Sequence, residues 1–114
     1  MRAAKRALEG QGVTQSTFRD RVLLREACVC VSTRAARLSA VGVGALLEMI
    51  DGTEKGCTIA VDGTVFECYP FFKERMEAGL EELLGPERAH SIELVLAKDG
   101  SGVGAAIIAA ISDA

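Results

Sequence analysis

The chain has 114 residues, which is enough for one small domain that buries roughly two thirds of its unfolded surface. Its formal net charge of -3 and its dispersed basic residues argue against nucleic acid as a partner, since that binding depends on clustered Lys and Arg over phosphates. We find no secretory signal and no apolar run long enough for a transmembrane segment, so we expect a cytosolic (cytoplasmic) protein. Its four cysteines are expected to be thiols rather than disulfides or metal ligands.

The first half of the chain predicts two helical segments. Residues 1–17 are polar and predict a short helix or tail followed by a loop. A long helix is predicted from Phe18 to Ile50, and the hydroxyl of Ser16 or Thr17 would cap it by accepting a bond from a first-turn amide. Steps of three and four residues place an apolar stripe at Leu24, Cys28, Val31, Ala35, Leu38, Gly42, Ala45 and Met49.

The middle of this long helix is rich in small residues, from Ser32 to Gly44. Small side chains predict a close approach by another backbone, and the plain interpretation is the packing of a buried helix. Glycine lowers helix stability relative to alanine, so a kink or break near Gly42 is an open alternative.

The second half of the chain alternates strands and helices. The predicted elements are a turn at Asp51-Gly52-Thr53, a strand at 57–61, a turn at 62–64, a helix from Pro70 to about Leu84, a stop at Gly85-Pro86, a strand at 92–97, a turn at 99–102 and a helix at 103–111. Two strands joined by a helix should lie parallel. Since two parallel strands alone form a poor sheet, we expect an α/β fold of which part of the sheet is missing.

Both predicted strands end in an acid, a glycine and a hydroxyl residue: Asp62-Gly63-Thr64 and Asp99-Gly100-Ser101. Ligands of open α/β sheets bind beyond the carboxyl ends of the strands, and such turns together with helix-start amides suit a phosphate. Strand-to-helix turns also contain Asp and Gly for geometry alone. The segment from Gly100 to Gly104 has the spacing of neither a dinucleotide fingerprint nor a P-loop, so both interpretations stay open.

Three segments resemble hexokinase motifs, in the order in which that family has them, and the resemblance covers about Leu24 to Ala110. The segments are Val31-Ser32-Thr33-Arg34-Ala35-Ala36-Arg37-Leu38-Ser39-Ala40 with Gly42, Ile59-Ala60-Val61-Asp62-Gly63-Thr64-Val65-Phe66 with Tyr69-Pro70 and Phe72, and Asp99-Gly100-Ser101-Gly102-Val103-Gly104-Ala105-Ala106. Residues 1–17 form a poorly matched tail on a single partial domain, 1–114.

The resemblance implies the C-terminal part of the larger lobe of an actin-like (ribonuclease-H-like) ATPase, built as a long helix followed by β-α-β-α with parallel strands. The second segment is similar to the family's adenosine motif, which implies that Asp62, Gly63, Thr64, Val65 and Cys68 line the nucleotide. The family usually has Leu where Cys68 stands, and often a basic residue near Glu67. The third segment is similar to a connecting motif at the hinge between lobes, which implies a packing role for Ser101.

The resemblance also implies the reaction and the rest of the machinery. A complete hexokinase transfers the γ-phosphate of ATP, bound with Mg²⁺, to the 6-hydroxyl of glucose or another hexose, and an aspartate accepts the hydroxyl proton. The segments that carry that aspartate, the sugar-binding residues and the other phosphate turns have no match here, so we assign no catalytic and no metal-binding residue. We expect this chain to need the remainder of the kinase chain as its partner and to be inactive alone. The alternative is a non-catalytic, stand-alone remnant that binds a nucleotide or a partner.

Overall fold

The computed structural model describes residues 1–50 and 56–112, so the turn predicted at 51–53 lies outside the described residues. The elements are α1 (Arg2–Gly10), α2 (Phe18–Met49), β1 (Cys57–Val61), α3 (Thr64–Cys68), α4 (Phe72–Leu84), α5 (Pro86–Ala89), β2 (Ile92–Leu96) and α6 (Gly100–Ser112). The predicted α/β order is confirmed, and α2 is helical through Gly42 without a break. The chain divides into two compact units, Met1–Ala35 and Ala36–Ala114.

The first unit contains the predicted cap of the long helix. The amide of Asp20 donates to Thr17 Oγ1 at 3.2 Å, while the amide of Thr17 donates back to Asp20 Oδ2 at 2.8 Å. The Thr17 hydroxyl also donates to the same carboxylate oxygen at 2.8 Å. This reciprocal arrangement is a capping box with Asp in the acidic position, and it identifies Thr17 as the cap residue.

Titration of Asp20 should show how much this cap depends on charge. The backbone amide of Thr17, followed by its hydroxyl, holds the pKa of Asp20 below its ordinary value. The stabilisation is therefore fully present above the ordinary pKa of an aspartate and is lost as the pH falls through the lowered pKa of the folded state. We expect Thr17→Ala to raise the titration midpoint of Asp20 part of the way, because the amide donor remains, and carboxyl-carbon NMR would measure the midpoint.

Ser16→Ala is the matched control for that titration, since the neighbouring hydroxyl makes none of these bonds with Asp20. An equal rise of the midpoint in both variants would show that the Thr17 cap is not the cause of the lowered pKa.

In the second unit, the apolar stripe predicted on α2 is on the wrong side of the helix. Ala36 and Ala40 are fully buried and Leu47 is 2% exposed, whereas Leu38 is 58% exposed and Met49 is 80% exposed. The stripe was predicted from the spacing of apolar residues alone, whereas a close helix contact selects a face with small side chains. The small-residue face is thus the one that packs, which confirms the prediction of close backbone approach.

That contact is made with α4. A Cβ atom on Gly79 would lie 2.9 Å from the Cβ of Ala40 and 3.7 Å from the Cα of Arg37, so the two helices touch almost backbone to backbone. Arg37 forms an ion pair with Glu82 on α4, and Arg88 on α5 forms one with Glu48. Both pairs are half-exposed and each contributes about 0–1 kcal/mol, so the packing rather than the charges holds the helices together.

The two strands pair in parallel, with Ile59 of β1 opposite Leu94 of β2. Leu94 is 2% exposed and belongs to a core that the buried residues Ala36, Ala40, Phe66, Phe72, Met76 and Leu80 complete. Within residues 1–50 and 56–112 the sheet has two strands. The expected parallel pairing is confirmed.

The starts of α4 and α6 differ from the prediction, and the short helices α3 and α5 were not predicted. Helix α4 begins at Phe72 rather than at Pro70, because Phe71 takes a left-handed φ of 62° that an α-helix cannot contain. Gly85 ends α4 as predicted, but Pro86 at once begins the short helix α5, where its missing amide costs nothing. Helix α6 begins at Gly100, three residues before the predicted start.

One described helix, α2, is long and apolar enough to cross a membrane by length and composition. The expectation that no apolar run has this length therefore does not hold for α2. A core helix of a soluble protein meets the same test, so a single such helix is weak evidence for a membrane span.

Candidate functional site

The two acid-glycine-hydroxyl turns lie side by side at the carboxyl edge of the sheet. The amide of Ala97 donates to the carbonyl of Val61 at 3.0 Å and extends the ladder by one bond beyond the strands. Directly after it, the Asp62 carboxylate oxygen Oδ2 accepts the Ser101 hydroxyl at 2.8 Å and the Ser101 amide at 3.2 Å. The first turn is therefore bonded to the second, a link that sequence reasoning did not predict.

These bonds hold the Asp62 carboxyl in its charged form. The Ser101 hydroxyl lowers the pKa of Asp62 most, followed by the Ser101 amide, with smaller contributions from the amides of Gly100 and Gly63. Asp62 also stands at the start of α6, where the helix dipole favours a negative charge. The structure thus gives the carboxylate protein donors, which is the environment of a helix cap.

Backbone conformation and close contacts explain two glycines and one aspartate here. Gly63 has a φ of 150°, which a residue with a side chain rarely adopts, and this lets the chain turn from β1 into α3. A Cβ atom on Gly102 would lie 2.5 Å from Asp99 Oδ1, so a larger residue there would require the Asp99 side chain to move. Asp99 itself has a φ of 55°, a left-handed conformation that aspartate tolerates.

The five residues predicted to line a nucleotide form one continuous exposed strip. Asp62 and Gly63 are in the turn, and Thr64, Val65 and Cys68 lie on α3, with Val65 55% exposed. Phe66 anchors α3 by burying its ring in the core. The strip is on the carboxyl edge, where the sequence predicted it.

A cavity of about 390 Å³ begins where the strip ends. Cys68 is the one predicted residue that lines it, together with Phe66, Glu67, Tyr69, Pro70, Phe71, Lys73, Glu74 and Leu96. Sequence reasoning did not include Phe71 among the site residues. Its left-handed conformation and its ring, 66% exposed, could not be recognised from the sequence.

A second cavity, of about 570 Å³, opens at the opposite edge of the sheet, where β1 and β2 begin. Its lining includes Cys57, Lys73, Glu77, His90 and Glu93, and none of the residues predicted to line a nucleotide. Over residues 1–50 and 56–112, no group of three or more His, Cys, Asp or Glu side chains is arranged to hold a metal ion.

Comparison with known proteins identifies what the chain is similar to. The family model described as Hexokinase matches residues 1–111. The chain is 42% identical to Hexokinase-2 of Arabidopsis thaliana over 104 residues, which is 86% of this chain and 21% of that protein. It is 38% identical to Hexokinase-7 of Oryza sativa subsp. japonica over 94% of this chain and 24% of the relative. For Hexokinase-1 of Schizosaccharomyces pombe the identity is 38%, over 85% of this chain and 20% of the relative.

Proposed function

This chain belongs to the hexokinase family, and we propose that it is a segment of an ATP-dependent hexokinase that phosphorylates the 6-hydroxyl of glucose or another hexose. The observation that carries the proposal is the family match over residues 1–111, combined with the small share of each relative that the chain spans, 20% to 24% in the three named. In the proposal the segment is a single partial domain, the C-terminal part of an actin-like ATPase lobe, in a cytosolic enzyme.

Exposed apolar surface supports a larger assembly. Helix α6 has no buried residue, and its large side chains are more than half exposed: Val103, Ile107, Ile108 and Ile111. On α2, Leu38, Val41 and Met49 are exposed on the side away from the small-residue face. Large contiguous apolar patches on a protein usually mark an interaction surface. We assign the remainder of the kinase chain as the partner that covers them.

The carboxyl edge supplies the adenosine side of the nucleotide site in this proposal. Thr64 and Val65 are exposed at the start of α3, directly after Gly63, and Cys68 leads from this strip into the 390 Å³ cavity. The part of the strip from Gly63 to Cys68 would form one wall for ATP, and the upstream part of the kinase would form the other. Mg²⁺ accompanies ATP in the complete enzyme, and we assign it no ligand in this chain.

The two carboxylates whose pKa is shifted, Asp20 and Asp62, are not proposed as a catalytic base. A general base works best when its pKa lies near the operating pH. The pKa of Asp20 and the pKa of Asp62 are instead lowered, by Thr17 and by Ser101 respectively, and both carboxylates already accept these protein donors. On the family resemblance, the proton-accepting aspartate is assigned to the upstream part.

The test is the size of the native protein, measured by blotting cell extracts from the source with an antibody raised against the C-terminal peptide that ends at Ala114. We expect one band about four to five times larger than this chain, as the 20% to 24% coverage of the relatives implies. A single band at the size of 114 residues would overturn the proposal and favour the stand-alone nucleotide- or partner-binding remnant. Recombinant chain run on the same gel provides the size standard.

A further inference from the structure

We infer that Asp62 is a positioning residue, whose carboxylate fixes the first turn of α6 against the turn that leads from β1 into α3. Resemblance to the family placed Asp62 among the residues that touch the nucleotide. The contacts assign it to the protein instead, because its bonds to Ser101 join two segments that lie 39 residues apart in the chain. The consequence for a nucleotide site at this edge rests on the proposed function, but the positioning role itself does not.

The first reason is that the carboxylate is already occupied. Oδ2 accepts both the hydroxyl and the amide of Ser101, and the amides of Gly100 and Gly63 also favour its charged form. A charged carboxylate in addition repels the phosphates of a nucleotide, since like charges disfavour each other at short distance. Within the strip, Gly63 and Thr64 are better placed to receive a phosphate or a ribose.

The second reason is that α6 has little else to hold it. None of its residues is buried, so hydrophobic packing does not fix its direction. Its first turn contains Gly100 and Gly102, which have low helix propensity and lower the intrinsic stability of that turn. A side chain from another segment that caps this turn can therefore decide whether the helix start is formed.

The third reason is a comparison with a second contact between the same two segments. Lys98, just before α6, lies 3.7 Å from Glu67 on α3, but its side chain is 79% exposed. A long, exposed ion pair of this kind contributes little to structure. The capping bonds of Asp62 are shorter and end on the helix itself, so they, rather than the ion pair, set the position of α6.

The test is amide hydrogen exchange, read residue by residue by NMR, on the full 114-residue chain. In Asp62→Ala we expect the amides of α6 to exchange about five- to thirtyfold faster, the factor that corresponds to losing one strong cap. Ser101→Ala should give a smaller increase because its amide still donates, and Ser101→Thr should restore the original rates. The double variant should exchange no faster than Asp62→Ala alone.

Glu67→Gln is the matched control, since it removes the ion pair between the same segments and should leave α6 exchange within about twofold of the parent. Amides of α4 serve as the internal reference for global unfolding. Equal acceleration of α4 and α6 in Asp62→Ala would overturn the inference, because Asp62 would then stabilise the unit as a whole. Unchanged α6 exchange in Asp62→Ala would overturn it as well. Neither result depends on ATP or on native size, so failure here is distinct from failure of the proposed function.

Discussion

Replacing Gly79 with leucine is expected to lower the free energy of unfolding of the second unit by about 3 kcal/mol or more, at the upper end of overpacking costs. A first side-chain carbon on Gly79 would already lie 2.9 Å from the Cβ of Ala40, and Ala40 has no rotatable side chain that could move aside. Helix α4 would have to move away from α2, and the neighbouring core residues Met76 and Leu80 would lose their contacts. Urea unfolding followed by circular dichroism would show a lower midpoint.

Gly42→Ala is the matched control for Gly79→Leu. Nothing lies within 4 Å of a Cβ at Gly42, and the residue is exposed within the same long helix. Alanine there should raise stability by about 0.5–1 kcal/mol, because it gains helix propensity and meets no clash. If Gly79→Leu unfolded at the same urea concentration as the parent, the contact between α2 and α4 would not be the close crossing described above.

The same contact shows what the sequence could and could not predict about the core. The extent of α2 followed from its periodicity and its cap, because those signals are local. The face of α2 that packs against α4 could not be predicted from local signals. The predicted face includes Leu38 and Met49, yet Ala36 and Ala40 are buried on the other face, since Gly79 on α4 allows the two backbones to meet there. Only the partner helix could decide between the two faces.

The prediction that α4 begins at Pro70 was wrong for a different physical reason. Proline is favoured in the first turn of a helix, and Pro70 stood in the expected place. Phe71 takes a left-handed conformation, which aromatic residues seldom adopt, so no residue preference could have predicted a helix start at Phe72. Pro86 follows the preference of proline for the first turn, because α5 begins at that residue.

At the candidate site the sequence predicted where the two turns lie, but not the hydrogen bonds that join them. Both acid-glycine-hydroxyl turns lie at the carboxyl edge, because parallel strands end on the same side of a sheet. The bonds from Ser101 to Asp62 depend on the register between β1 and β2, which pairs Val61 with Leu96 and brings the following turns together. Register is a property of two strands and is absent from either segment alone. The family resemblance could therefore name Asp62 but could not reveal its bonds to Ser101.

Joining this chain to the upstream part of a relative should produce an active sugar kinase, whereas the chain alone should not consume ATP in the presence of hexoses. The design replaces the matching 104 residues of Arabidopsis thaliana Hexokinase-2, to which this chain is 42% identical, with this chain. We expect the chimera to form ADP in a hexose-dependent way, because in the proposed function the upstream part supplies the catalytic and sugar-binding residues and this chain supplies one wall of the nucleotide cleft. A coupled assay for ADP, run with and without several hexoses, measures the reaction.

Two controls make the result of the chimera specific. The relative truncated before the replaced segment should lose at least about hundredfold in activity, since even small misplacement of reacting groups costs that much. The activity of the chimera that carries Gly79→Leu should fall towards that of the truncated relative, because the segment then packs badly. An inactive but folded chimera would mean that the carboxyl edge of this chain cannot complete the nucleotide cleft, and it would favour the stand-alone remnant. Hexose-dependent ATP consumption by the 114-residue chain alone would contradict the assignment of every catalytic residue to the upstream part.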